Sequence, residues 1–145
     1  MTTQILPPTE DETAFHTRLY DWVSDHATAS GHPFDNTPFL LELREDGQCV
    51  AGFEGYRLFD WLFVRYIAVA PHRRGRGHGA RLVRAAEDKA RAEGITGIFI
   101  DSYAFQAPEF YEKLGYTVFG TLDGGPPARR RSYLAKALAP GARID

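Results

Sequence analysis

The chain has 145 residues and a mass of 16.3 kDa, with 43% hydrophobic and 25% charged residues, a balance that suits one folded domain and excludes a disordered chain. Its formal net charge of −2 excludes the broad basic footprint of a nucleic-acid binder, and no apolar run is long enough to span a bilayer. Cys49 is the only cysteine, which excludes an intrachain disulfide and a cysteine-built metal site. Met1–Pro8 has no basic stretch followed by an apolar core, so it does not read as a signal peptide, and a cytoplasmic protein is expected.

Thr9 and Glu12 have capping-box spacing, and Phe15, Leu19, Trp22 and Val23 recur at helical intervals. They predict a first helix from about Glu10, closed by Gly31 and Pro33. Phe39–Arg44 and Cys49–Tyr56 flank Asp46-Gly47, the dipeptide of a tight hairpin, and Cys49 reads as buried packing. After a turn at Leu58–Asp60, the nearly continuous apolar run Trp61–Val69 predicts a central strand covered on both faces. Across Ala80–Glu93, Leu82, Val83, Ala86 and Ala90 form one stripe, with Arg84/Asp88 and Glu87/Arg91 as opposite charges four apart. Gly94 ends that helix. Ile98-Phe99-Ile100 then reads as a short buried strand parallel to Trp61–Val69, because the helix supplies a crossover. Pro108–Leu114 predicts a short helix with Gly115 after it, followed by strands Tyr116–Phe119 and Tyr133–Leu138. Arg129-Arg130-Arg131 reads either as a solvated loop or as an anion contact. With no repeat and no linker, residues 1–145 are read as a single domain.

The most constraining segment is Tyr66–Ala80, an apolar strand that runs into Gly75, Gly77 and Gly79 and then directly into a helix. Such a turn can aim successive backbone N–H groups and the positive end of the helix at one anion, which suits a pyrophosphate. Gly75-x-Gly77-x-x-Ala80 fits the permissive dinucleotide fingerprint, and Asp101 follows roughly twenty residues later, where a ribose-binding acid would sit. A dinucleotide fold, however, begins with this unit and continues through further βα repeats, whereas here an antiparallel meander precedes it. A dinucleotide-binding oxidoreductase is therefore the weaker alternative.

Arg74-x-x-Gly77-x-Gly79, following Ile67-Ala68-Val69-Ala70-Pro71, resembles the acyl-coenzyme A signature of the GNAT superfamily of N-acetyltransferases. Ala107-Pro108-Glu109-Phe110-Tyr111-Glu112-Lys113-Leu114-Gly115-Tyr116 resembles the superfamily's second signature, and the two together extend the resemblance from about Phe39 to Leu138. It implies a single α+β GNAT domain: a mixed, mostly antiparallel, twisted sheet with a V-shaped splay and helices on both faces. The implied activity is transfer of acetyl from acetyl-coenzyme A to a primary amine, directly within a ternary complex. The amine is that of a small molecule or of a protein N-terminus, and a homodimer stays open. No nucleic acid, membrane or metal is expected, since His72 and His78 alone make a poor metal site. A noncatalytic acyl-coenzyme A sensor is the second alternative.

The resemblance also assigns residues. Arg74, Gly75, Arg76, Gly77, His78, Gly79 and Ala80 would hold the pyrophosphate, while Ile67, Ala68 and Val69 would pair with pantetheine, the N–H of Val69 facing the thioester carbonyl. The family's usual Asn before the short helix is missing, and Ser102 or Gln106 could replace it. Tyr111 would be the acid: a phenol of pKa about 10 can protonate a thiolate whose conjugate acid lies near about 8.5, although a core aromatic is the plainer reading. For a base, Glu54 interrupts the apolar run Val50–Tyr56, which is explained either by catalysis or by a solvent-facing strand position. Asp101 is the second candidate, or else a turn cap, and ordered water could carry the proton instead. Phe34, Asp35, Asn36, Tyr56, Tyr103 and Phe105 are candidates for the acceptor pocket.

Overall fold

A computed structural model describes residues Met1–Asp145, which divide into two compact units, Met1–Asp35 and Asn36–Asp145. The first contains helix α1 (Glu12–Ala29). Its N-cap is Asp11 rather than Thr9: the Asp11 carboxylate accepts the Ala14 N–H at 2.8 Å, the strongest kind of cap for that orphan donor. Glu10 instead holds Arg18 through two hydrogen bonds, at 2.9 and 3.0 Å. Leu19, Trp22 and Val23 are exposed, and Phe34 packs on Tyr20 with ring centroids 5.9 Å apart.

The second unit runs β1 (Thr37–Glu45), β2 (Gln48–Leu58), β3 (Trp61–Val69), α2 (His78–Ala92), β4 (Gly97–Tyr103), α3 (Pro108–Lys113), β5 (Thr117–Leu122) and β6 (Arg131–Ala137). These strands form one sheet in the order β1-β2-β3-β4-β6-β5, in which only β3 and β4 run parallel. The hairpin turn is where Asp46-Gly47 places it, with φ of 52° and 80° at those residues. Cys49 is exposed, not buried: it sits next to the turn, where the hairpin has run past the core.

α2 buries Leu82, Val83, Ala86 and Ala90 against β1, β2 and β3, the stripe that its periodicity defines. The expected pairs Arg84/Asp88 and Glu87/Arg91 do not form. Lys89–Glu93 at 2.9 Å and Arg91–Asp88 at 3.5 Å take their place, while Glu87 turns inward to 5% exposure. There it accepts from the Tyr116 hydroxyl at 2.9 Å and from Lys136 Nζ at 3.0 Å. Two donors arriving from distant segments outcompete a neighbour on the helix surface, because a buried carboxylate must be satisfied.

β3 is also covered differently from expectation. Leu62 and Val64 are buried on the α2 side, but Trp61 and Phe63 are only half-buried and Tyr66 is exposed. The other face carries an aromatic layer: Phe63 lies 5.5 Å from Tyr56 and 5.1 Å from Phe99, and Trp61 lies 6.5 Å from Phe99.

Two irregularities open the sheet beside β3. Tyr66 pairs with Glu54 but Val64 with Gly55, leaving Arg65 as an extra residue in β3, a bulge. A Cβ at Gly55 would stand 2.4 Å from the Phe63 carbonyl oxygen, so only glycine lets β2 approach there. The parallel pairing of β3 with β4 covers Trp61–Phe63 and Gly97–Phe99 and goes no further. Past Phe63 the two strands part.

Candidate active site

The parting of β3 and β4 opens a cavity of about 590 Å³. One wall is Arg65–Val69 of β3, the other Ile100–Ser102 of β4, and Gln106, Ala107, Phe110 and Tyr111 close it from α3 and the loop before it. Its far end is the loop that leads into α2. Because β3 has no neighbour on this side, its backbone is the wall. The Ala70 N–H donates to Val50 O at 2.8 Å, toward β2. Antiparallel alternation therefore turns the N–H and C=O of Val69 and Ile67 the other way, into the cavity. Ala68 lines the cavity too, with its amide on the β2 side.

The backbone of the loop could hold an anion. Gly75 and Gly77 have φ of 80° and 78°, and a Cβ at either would meet nothing within 4 Å, so glycine serves conformation there rather than space. Gly77 is the N-cap of α2 and no side chain caps that helix, which leaves its first N–H groups open to a ligand. Gly79 answers to packing instead, since a Cβ on it would come 3.2 Å from Phe110 Cζ. Arg73, Arg74, Gly75, Gly77, His78, Gly79 and Ala80 all line the cavity. Arg74 bends back to donate from Nε to Val69 O at 3.3 Å.

Arg76 is not part of the lining. Its Nη1 lies 3.9 Å from Glu45 Oε2, and Glu45 Oε1 lies 2.6 Å from His78 Nε2, so the tip of the first hairpin braces the loop from behind. His78 is 7% exposed and its Nδ1 is buried without a partner. Glu54 is exposed on β2, opposite Tyr66, outside the lining as well. Side-chain direction in a glycine loop follows no period, so the sequence could not rank Arg73 above Arg76 as a lining residue.

Gln106 reaches back from its loop: its Oε1 accepts the Tyr103 N–H at 3.0 Å, which leaves its amide NH₂ as a donor at the cavity wall. Ser102 is buried. Tyr111 packs on Phe110 and Tyr116 at centroid distances of 5.0 and 6.0 Å and is one of the residues that line the cavity. Burial pushes its pKa up to about 12. Burial, followed by the charge and hydrogen bond of Glu87, pushes Tyr116 up further still.

Those two phenols give a pH prediction. Both stay protonated in the folded chain at pH values where the unfolded chain, with tyrosine pKa near about 10, has lost its protons. Their contribution to stability is intact below that value and shrinks as pH rises above it. Urea melts between pH 9 and 11 should show stability falling with pH, and Tyr116→Phe should flatten the fall; an equally steep fall in the variant would contradict the assignment.

A splayed sheet edge, a glycine-rich loop and a half-buried phenol thus surround one cavity. The chain belongs to the acetyltransferase (GNAT) family, whose model matches residues 3–116. It is 36% identical over 95 residues to blasticidin-S acetyltransferase of Streptomyces morookaense, covering 65% of this chain and 70% of that protein. Among solved structures, an acetyltransferase from Bacillus cereus ATCC 14579 superposes with a TM-score of 0.78 at 25% identity, over 94% of this chain and 98% of that one. An aminoglycoside 6′-N-acetyltransferase complexed with coenzyme A shares the fold, with a TM-score of 0.63 at 18% identity over 73% of this chain and 76% of that one. No helix is long and apolar enough to cross a membrane.

Proposed function

We propose that this chain moves acetyl from acetyl-coenzyme A to a primary amine by direct transfer within a ternary complex, working as one domain in the cytoplasm. The observation that carries the reading is the union in one cavity of an unpaired strand edge, an open helix N-terminus and the Tyr111 hydroxyl. The donor set suits the cosubstrate: backbone N–H groups and Arg73 and Arg74 for the phosphates, and the outward amides of Ile67 and Val69 for pantetheine. Acetyl-coenzyme A supplies an activated acyl thioester.

The residues of the chain do the rest. Gly75 and Gly77 to Ala80 fix the pyrophosphate, the Gln106 amide holds a pantetheine carbonyl, and the Val69 N–H points where a thioester oxygen would gain charge. Tyr111 keeps a proton on its hydroxyl at neutral pH for the departing sulfur. Glu54, outside the lining but opposite the cavity residue Tyr66, receives the proton of the amine through water. Direct transfer is the course we assign, because the chain's one thiol, Cys49, is not among the lining residues.

Coenzyme A at about a hundred times its Kd should stabilise the chain by about 2.7 kcal/mol, a rise of about 5–10 °C in Tm. Gly77→Ala, which forces a side chain to φ 78°, should remove most of that rise. Absence of any shift in the wild type would overturn the reading. Turnover of an amine panel that includes blasticidin S, run beside Glu54→Gln, tests the base: a variant as active as the wild type removes Glu54 from the mechanism.

A further inference from the structure

Asp101 is the only carboxylate among the residues that line the cavity, whose remaining charged groups are cations. The cations Arg73 and Arg74 stand at the phosphate loop and Arg65 at the bulge, whereas Asp101 stands on the facing strand, β4. Its side chain is 16% exposed, and Arg131 Nε donates to its Oδ2 at 2.7 Å. Arg131 is itself fixed: its guanidinium lies 5.5 Å from the ring centroid of Tyr103 and 5.1 Å from that of Tyr133. The register places these groups side by side on one face, Asp101 opposite Tyr133 and Tyr103 opposite Arg131. Arg131 takes Oδ2 alone, and no hydrogen bond within the protein engages Oδ1.

A cavity-lining carboxylate with one oxygen clamped and the other without a bond in the protein is a directed acceptor. We infer that Asp101 Oδ1 binds the ammonium of the acceptor at the mouth of the splay, with Arg131 as the positioning residue that aims it. This rests on the acetyl-transfer reading above and deepens it, because it makes the acceptor a cationic amine and selects against neutral amides and hydroxyls. Arg131 cannot supply this recognition itself, since a guanidinium repels an ammonium. One Arg on one oxygen fixes direction without using up the second.

Two cosubstrate analogues test it by binding alone. S-(2-aminoethyl)-coenzyme A carries an ammonium close to where the attacking nitrogen stands, and S-propyl-coenzyme A carries a methyl of nearly the same shape. By calorimetry the wild type should prefer the ammonium analogue about tenfold, the worth of one charge-assisted hydrogen bond. Asp101→Asn and Arg131→Gln should bring that ratio near one, and Arg131→Lys should restore part of it. A role confined to bracing β4 against β6 would lower Tm and leave the ratio alone. Tight binding of both analogues with no preference in the wild type, or with the preference kept in Asp101→Asn, overturns the inference. Failure of the wild type to bind coenzyme A at all overturns the acetyl-transfer reading beneath it.

Discussion

Tyr111→Phe is expected to lower kcat by about 10²–10⁴-fold, the usual worth of a positioned general acid, with coenzyme A affinity within a few-fold of wild type. The change removes one oxygen and nothing else: the ring keeps its contacts with Phe110 and Tyr116, and the hydroxyl gives up no partner in the protein. With the phenol pushed up to about 12, the wild type should show no loss of its acid form between pH 7 and 10. The rate in that range is then limited by ionisation of the amine or its base. A variant with wild-type kcat would reduce Tyr111 to packing, the plainer reading of a half-buried aromatic. A fall in kcat that came with an equal loss of Tm would point the same way.

Glu87→Ala should produce a large loss of stability, about 3–5 kcal/mol, which for a domain of this size is a drop in Tm of about 6–20 °C. Glu87 is the acceptor for both Tyr116 and Lys136, and truncation leaves a buried phenol and a mostly buried ammonium without their carboxylate. Lys136 retains Leu114 O at 2.9 Å, which favours the lower end of the range. The charge pair is expected to contribute more to the specificity of the packing than to net stability. Glu87→Leu combined with Lys136→Met should recover most of the loss, since apolar groups of similar volume often replace a buried pair at little cost. Urea denaturation of the single and double variants measures both terms. A single-variant loss below about 1 kcal/mol would mean that water reaches this site freely.

How much of this was legible in the sequence depended on whether the signal was local. Trp61–Val69 is a strand in sequence and structure alike because apolar density needs no partner to be seen, and Asp46-Gly47 fixes its own turn. The stripe of α2 is equally local. Glu87 lies off that stripe in a helical wheel and reads as a surface charge. Only the arrival of Tyr116 and Lys136, 29 and 49 residues away, turns it inward. The insertion of β6 between β4 and β5 is likewise a pairing fact, invisible to periodicity, and it is what sets Arg131 beside Asp101.

The site shows the same division. Backbone-driven parts were readable, because glycines at Gly75 and Gly77 announce positive φ and the strand before them announces a wall. Side-chain directions were not. Arg76 braces Glu45 while Arg73 lines the cavity, and Glu54 faces outward beside Tyr66. Asp101 could be read from sequence as a base, a ribose ligand or a turn cap. Its clamp to Arg131 is what gives it a direction.

The most direct test of acetyl transfer is amine-dependent thiol release from acetyl-coenzyme A, followed with a thiol-reactive dye and by mass spectrometry of the amine. The account predicts that at least one primary amine in a panel of polyamines, amino acids and antibiotics accelerates release, gains one acetyl group, and does so far more slowly with Tyr111→Phe. Firm binding of acetyl-coenzyme A with no amine in that panel acetylated would contradict it, and would make this cavity a sensor of the thioester rather than a place where it reacts.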